Sequence, residues 1–233
     1  MIARRYMALA VLVWLLAWSA ASSAGESTYS NVRSFVMKRY SHGVPYEGAR
    51  ALGPEAIPAL KAVLDDNSLK NHWVNAIATL AYIGAPQSFV ALKGFLLTRF
   101  SGIVDDTTFQ ALNAVPVVMG TIPDTPDLGV AQFLRDGTNP ARWETLPWKD
   151  RIYTHHQLAL DLSGGCISGL ACVPTPETAE FLEKLFIRPY ANSQLSTIHE
   201  AIAVNREIRE RGLAAYLHSL QQKLSRAPRK GTK

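Results

Sequence analysis

The sequence predicts an all-α protein built from antiparallel helix pairs that stack on one another. Three observations carry this. A phrase recurs: Pro54-Glu55-Ala56-Ile57-Pro58-Ala59-Leu60-Lys61-Ala62-Val63-Leu64 is followed 32 positions later by Pro86-Gln87-Ser88-Phe89-Val90-Ala91-Leu92-Lys93-Gly94-Phe95-Leu96, and a looser copy, Pro176 to Phe186, starts 122 positions after the first. Within each copy the apolar residues fall at helical spacing, as in Ile57, Leu60, Val63 and Leu64. No stretch sustains the alternation that a strand requires.

The elements follow in chain order. Arg4 and Arg5 precede the apolar run from Met7 to Ala17, and Ser22-Ser23-Ala24 closes it with small residues. This is the layout of a secretory signal peptide over residues 1–24, with cleavage after Ala24, and it predicts a periplasmic or secreted protein. The run is shorter than the roughly 20 residues that a membrane span needs, and nothing later in the chain is apolar enough for one. Arg4-Arg5 resembles a twin-arginine pair, but Ala3 stands where Ser or Thr is expected, which favours ordinary secretion.

The body is expected over residues 25–222. Residues 29–40 carry Val32, Phe35 and Val36 at helical spacing, and 43–53 read as a loop. Pro54 suits the first turn of the next helix. Asp65-Asp66-Asn67-Ser68 supplies a turn and an N-cap, and the partner helix runs to Ile83, with Gly84 as its C-cap. The second copy begins at Pro86, and Asp105-Asp106-Thr107-Thr108 starts its partner, in which Pro116 is expected to kink or break the helix. Prolines 123, 126, 140 and 147 interrupt the pattern, making 122–147 an irregular insertion. Trp148 to Ser163 reads as a long helix, Gly164 to Gly169 as a loop, Gln194 to Arg211 as the partner of the third copy, and Leu213 to Leu224 as a closing helix.

Leu52-Gly53-Pro54-Glu55-Ala56-Ile57-Pro58-Ala59-Leu60 and Ala78-Thr79-Leu80-Ala81-Tyr82-Ile83-Gly84-Ala85-Pro86 resemble HEAT-like repeats, most closely the short bacterial form whose relatives include the bilin-lyase-type repeats. The resemblance extends over Ala51 to about Ile122 and, more loosely, Ala159 to Arg211. It implies an α-solenoid, helix pairs stacked into a right-handed superhelix with a groove for partners. It departs from those repeats at His72-Trp73, which stand where they usually carry Val-Arg. Physically, a helix pair with one apolar stripe per helix cannot bury both stripes alone, so each pair needs its neighbours.

The net charge of +5 is unevenly placed. Arg4 and Arg5 lie in the leader, and Lys223, Arg226, Arg229, Lys230 and Lys233 crowd the last eleven residues, which contain no acid; the body between is weakly acidic. That argues against a nucleic-acid binder, whose folded face would be basic. It leaves residues 223–233 as a disordered basic tail able to make weak contact with an anionic surface. Cys166 and Cys172, an even pair in an oxidising compartment, are expected to form a disulfide. They have no nearby His or Cys pair to complete a metal site.

Five stretches are candidates for chemistry. His155-His156 lacks a ligand at i+4. His199-Glu200 starts like a zinc-protease motif, but Ala203 stands where the second histidine is required. Gly164-Gly165-Cys166-Ile167-Ser168-Gly169 is neither a nucleophile elbow nor a dinucleotide fingerprint, so no cofactor is expected. Arg206 to Arg211 alternates charges as a solvated helix face does. The fifth is the aromatic and basic cluster Arg142, Trp143, Trp148, Lys149, Arg151 and Tyr153, with His155 beside it. Trp, Tyr and Arg favour interface hot spots, and they also fill awkward cores. The leading expectation is a non-catalytic scaffold that binds a protein or peptide through Arg142, Trp143, Trp148, Arg151, Tyr153 and His155. The alternatives are an enzyme, either a hydrolase using His155 or His199 or a bilin-lyase-like protein, and an envelope-associated assembly factor.

Overall fold

The computed structural model describes residues 29–41, 43–98, 101–125, 127–150, 154–189 and 191–226, and over these the chain is mostly helical. Helix α1 (29–36) is followed by the short α2 (Tyr46–Arg50), which lies in the stretch 43–53 that the sequence reads as loop. Then come α3 (Ile57–Asp65), α4 (Trp73–Ile83), α5 (Pro86–Thr98), α6 (Asp106–Met119), α7 (Val130–Gly137), α8 (His155–Ala171), α9 (Pro176–Lys184), α10 (Leu195–Arg211) and α11 (Leu213–Arg226). The expected leader, residues 1–24, lies outside the described residues, as do residues 227–233. Among the described residues no helix is long and apolar enough to cross a membrane.

Proline opens each copy of the repeated phrase at a helix start. Pro54 begins a 3-10 turn that runs into α3, Pro86 begins α5, and Pro176 begins α9. There the missing N–H costs no helical hydrogen bond. The residues that follow at helical spacing are buried in all three copies: Leu60, Leu92 and Leu182, then Val63, Phe95 and Leu185. The third copy diverges at its end, where α9 stops at Lys184 and Phe186 emerges in a 3-10 turn.

Packing follows chain order. Helix α3 lies on α4, α5 on α6, α7 on α8, and α9 on α10, while α4, α6, α8 and α10 lie side by side in sequence, with the α6–α8 contact the most extensive. One core runs through all of them, from Val32 to Ala201. Helix α2 packs on α4; α11 packs on α10 and reaches back to the start of the chain, where the Gln221 amide donates to the Val44 carbonyl at 3.0 Å.

The structure corrects the sequence reading in the middle of the chain. Residues 164–169 are not a loop but part of α8. Their glycines let α8 approach its neighbours: a Cβ at Gly165 would come within 2.9 Å of the Pro116 ring, and one at Gly164 within 2.9 Å of Gln194. Pro116 does not break α6, which continues to Met119. The helix expected over 148–163 starts only at His155, because Thr154 caps it: the Gln157 N–H donates to Thr154 Oγ1, and the Thr154 N–H donates to Gln157 Oε1, a capping box. Trp148-Lys149 instead pairs in parallel with Gly102-Ile103 as a two-residue strand. The irregular stretch holds α7, whose first N–H groups, those of Val130 and Ala131, donate to the Asp124 carboxylate.

Candidate functional site

Of the residues expected to form a binding cluster, Arg142, Trp143, Trp148 and His155 are described. Trp143 is 1% exposed, its indole N–H donates to the Gly137 carbonyl at 2.6 Å, and its ring meets that of Phe133 edge-on. Trp148 is equally buried and packs near Phe109. Both tryptophans are therefore part of the core. Arg142 is half-buried, stacks over Phe133 at 4.8 Å and pairs with Asp136 at 3.3 Å. Lys149 is exposed. Arg151 and Tyr153 lie outside the described residues.

The histidines are no more convergent. His155 opens α8, and its Nε2 is buried without a hydrogen-bond partner among the described residues. His156 pairs at the surface with Glu144 at 2.9 Å. His199 is exposed and stacks against Phe186, with ring centroids 4.8 Å apart. The expected disulfide is not found. Cys166 and Cys172 are free thiols at the end of one helix. Six residues along a helix span about 9 Å, whereas a bridge needs Cα atoms within about 7 Å. Burial pushes both thiols up, Cys172 to about 12, so neither is a thiolate nucleophile near neutral pH.

Two adjoining cavities, of about 390 and 280 Å³, form a cleft between the second helices of the pairs and α11, and they share Tyr82, Thr121 and Cys172. The larger sits where second helices end: Ile83 and Gly84 after α4, Gly120 and Thr121 after α6, Cys172 and Val173 after α8. The smaller continues along α10 and α11, between Val117, Glu200, Tyr216 and Leu220. Helix C-termini carry the negative end of the helix dipole, so three such ends around one cavity favour a cation or a hydrogen-bond donor. Aromatic faces add to this. Tyr46 and Tyr82 meet edge-to-face at 5.2 Å, and the Arg50 guanidinium lies 5.5 Å from the Tyr46 ring, a cation–π arrangement. Burial, with Cys172 adding to it, raises the Tyr82 and Tyr216 hydroxyls above their ordinary value, and both are neutral phenols at physiological pH. Among the described residues no group of three or more His, Cys, Asp or Glu is placed to hold a metal ion.

The sequence did carry a signal for this cleft. Each of the three helix ends is followed closely by proline, in Ile83-Gly84-Ala85-Pro86, Gly120-Thr121-Ile122-Pro123 and Cys172-Val173-Pro174. A proline shortly after a helix end is a stop signal, and helices stacked side by side that stop at the same level must bring those stops together. No protein-family model, no curated protein and no solved structure matches this chain.

Proposed function

We propose that the chain is an exported, non-catalytic scaffold of the HEAT-like α-solenoid kind, which holds a protein or peptide segment in the cleft between its second helices and α11. The observation that carries this reading is the convergence of three helix C-termini on one cavity beside the Tyr46–Tyr82 pair. Such a cavity suits a basic side chain inserted from a partner, held by dipole ends and ring faces with Asp124 also in the lining. The repeated proline-led helix pairs support the solenoid reading, and the charge, apolar run and small residues of 1–24 support export. Tyr and Arg at the mouth fit an interface.

A photo-crosslinking side chain placed at Thr175, on the rim of the cleft, tests this in cells that make the protein. Adducts to a protein partner are expected from Thr175 and not from Val90, which is 66% exposed on the far side of the helix pairs. Equal adducts from both positions, or none from Thr175, would count against the cleft. N-terminal sequencing of the recovered chain should begin at Gly25; a retained leader would remove the export part of the proposal.

A further inference from the structure

Helix α11 carries more apolar surface than the rest of the chain covers. Leu213, Tyr216, Leu217, Leu220 and Leu224 follow at steps of one, three or four residues and form one stripe. The early part of the stripe is docked. Leu217 is 8% exposed, and beside it Gln221 donates to the Val44 carbonyl. The later part is not: Leu220 is 39% and Leu224 44% exposed. Charge accumulates toward the same end. From Gly212 to Lys233 the sequence has no Asp or Glu, and Lys223, Arg226, Arg229, Lys230 and Lys233 gather beside and beyond the uncovered leucines.

An apolar helix edge followed along the chain by cations complements the interface of an anionic bilayer; the acids that face α11, Glu200 and Glu207 of α10, lie toward its docked first turns, at Tyr216. A protein surface fits less well. Two half-exposed leucines offer far less than the roughly 1,000 Å² that a specific protein interface buries. A bilayer needs only shallow insertion of a few side chains, and each Lys or Arg near an anionic surface strengthens binding by about fivefold. We infer that the distal half of α11, from Leu220 onward, lies on an anionic lipid surface together with the basic run that follows it, while its first turns stay docked on the body. The inference does not depend on the cleft having a partner.

A fluorophore sensitive to polarity, attached at Leu224→Cys or, on the opposite face of the helix, at Gln222→Cys, tests it in the full chain. Cys166 is buried, and Cys172, which borders the cleft, is replaced by Ser in the labelled variants, so the label goes to the introduced cysteine. With vesicles of phosphatidylcholine and phosphatidylglycerol, the label at 224 should shift to the blue, brighten several-fold and be quenched by nitroxide lipids, while the label at 222 stays water-like. Pure phosphatidylcholine should move neither. Leu224→Glu should weaken binding to anionic vesicles by roughly tenfold or more while the thermal midpoint stays close to that of the parent. Vesicle binding without a response at 224 would assign contact to the leader or the tail alone and overturn the proposal. So would unchanged binding by Leu224→Glu. Absence of any vesicle binding would do the same and leave the two leucines to a protein partner.

Discussion

Gly169 of α8 lies so close beneath Pro116 of α6 that a Cβ at 169 would sit 2.2 Å from the Pro116 carbonyl oxygen. The contact is reciprocal, since a Cβ at Gly120 would sit 1.7 Å from the Gly169 carbonyl oxygen. The two helices with the most extensive contact in the chain thus meet backbone to backbone. Gly169→Ala must push them apart and should cost about 1–3 kcal/mol or more. Gly94 is the control: it is in α5, and an added Cβ would meet nothing within 4 Å. Gly94→Ala should therefore stabilise by about 0.5–1 kcal/mol. Thermal unfolding followed by circular dichroism separates the two, with midpoints moving in opposite directions; a fall of the same size in both would contradict the contact.

The same glycines explain where the sequence misleads. A run such as Gly164-Gly165-Cys166-Ile167-Ser168-Gly169 looks like a loop because glycine disfavours an isolated helix. Here the lost propensity is outweighed by the approach of α6, which no local pattern reports. The proline-led starts at Pro54, Pro86 and Pro176 were legible because a helix start depends on neighbouring residues alone. The capping box at Thr154 and Gln157 was equally local and marks the true start of α8, although the apolar spacing from Trp148 onward obscured it. Trp143 and Trp148 were ambiguous in principle, since burial and interface exposure call for the same residue types. The cleft around Tyr82 needed three helix ends, far apart in sequence, to be seen at one level.

Asp105 caps α6 through the Thr108 N–H and also accepts from Lys70 in the preceding helix pair. These bonds, the one from Lys70 foremost, hold its carboxyl down to about 2. In the unfolded chain it titrates near 4. The depressed folded value means its contribution is complete above about pH 4 and is lost as pH falls toward 2. Asp105→Ala should cost about 0.5–2 kcal/mol at neutral pH. Asp105→Asn keeps a good cap acceptor and should cost less. Urea unfolding at pH 7 and at pH 2.5 should show the gap between parent and Asp105→Ala narrowing at the lower pH. A gap that does not change with pH would place the effect elsewhere.

Asn205, 1% exposed on α10, directs its amide at three main-chain carbonyls at the end of α8: Val173 at 2.8 Å, Ala171 at 3.3 Å and Leu170 at 3.5 Å. The Leu170 and Val173 carbonyls also accept from the Val173 and Thr175 N–H groups, so the amide adds a clamp to acceptors that are in part already satisfied. Asn205→Ala removes the clamp and should cost about 0.5–1.5 kcal/mol. Exposed Arg206, the next residue along, is the reference, and its replacement by Ala should change stability by no more than about 0.5 kcal/mol. Chemical denaturation of both variants decides it, and equal midpoints would deny Asn205 its role.

The thiols give the most direct test of the α8 geometry. Because α8 holds Cys166 and Cys172 too far apart to bridge, protein prepared without reductant and alkylated in denaturant should gain two alkyl groups by mass; a disulfide would leave none. Alkylation of the native protein at pH 7.5 should be slow at both sites, since both thiols stay protonated, and slower at the fully buried Cys166 than at Cys172, which borders the cleft. The linkage has a definite sign. A thiol titrates near 8.5 in the unfolded chain and, for Cys172, near 12 in the fold. The folded state therefore binds the proton more tightly, and stability is complete below about pH 8.5 and declines as pH rises beyond it. Cys172→Ser should flatten that alkaline decline, because a hydroxyl does not ionise there. A parent protein whose unfolding midpoint is the same at pH 8 and pH 10 would mean that the thiols reach solvent in the fold.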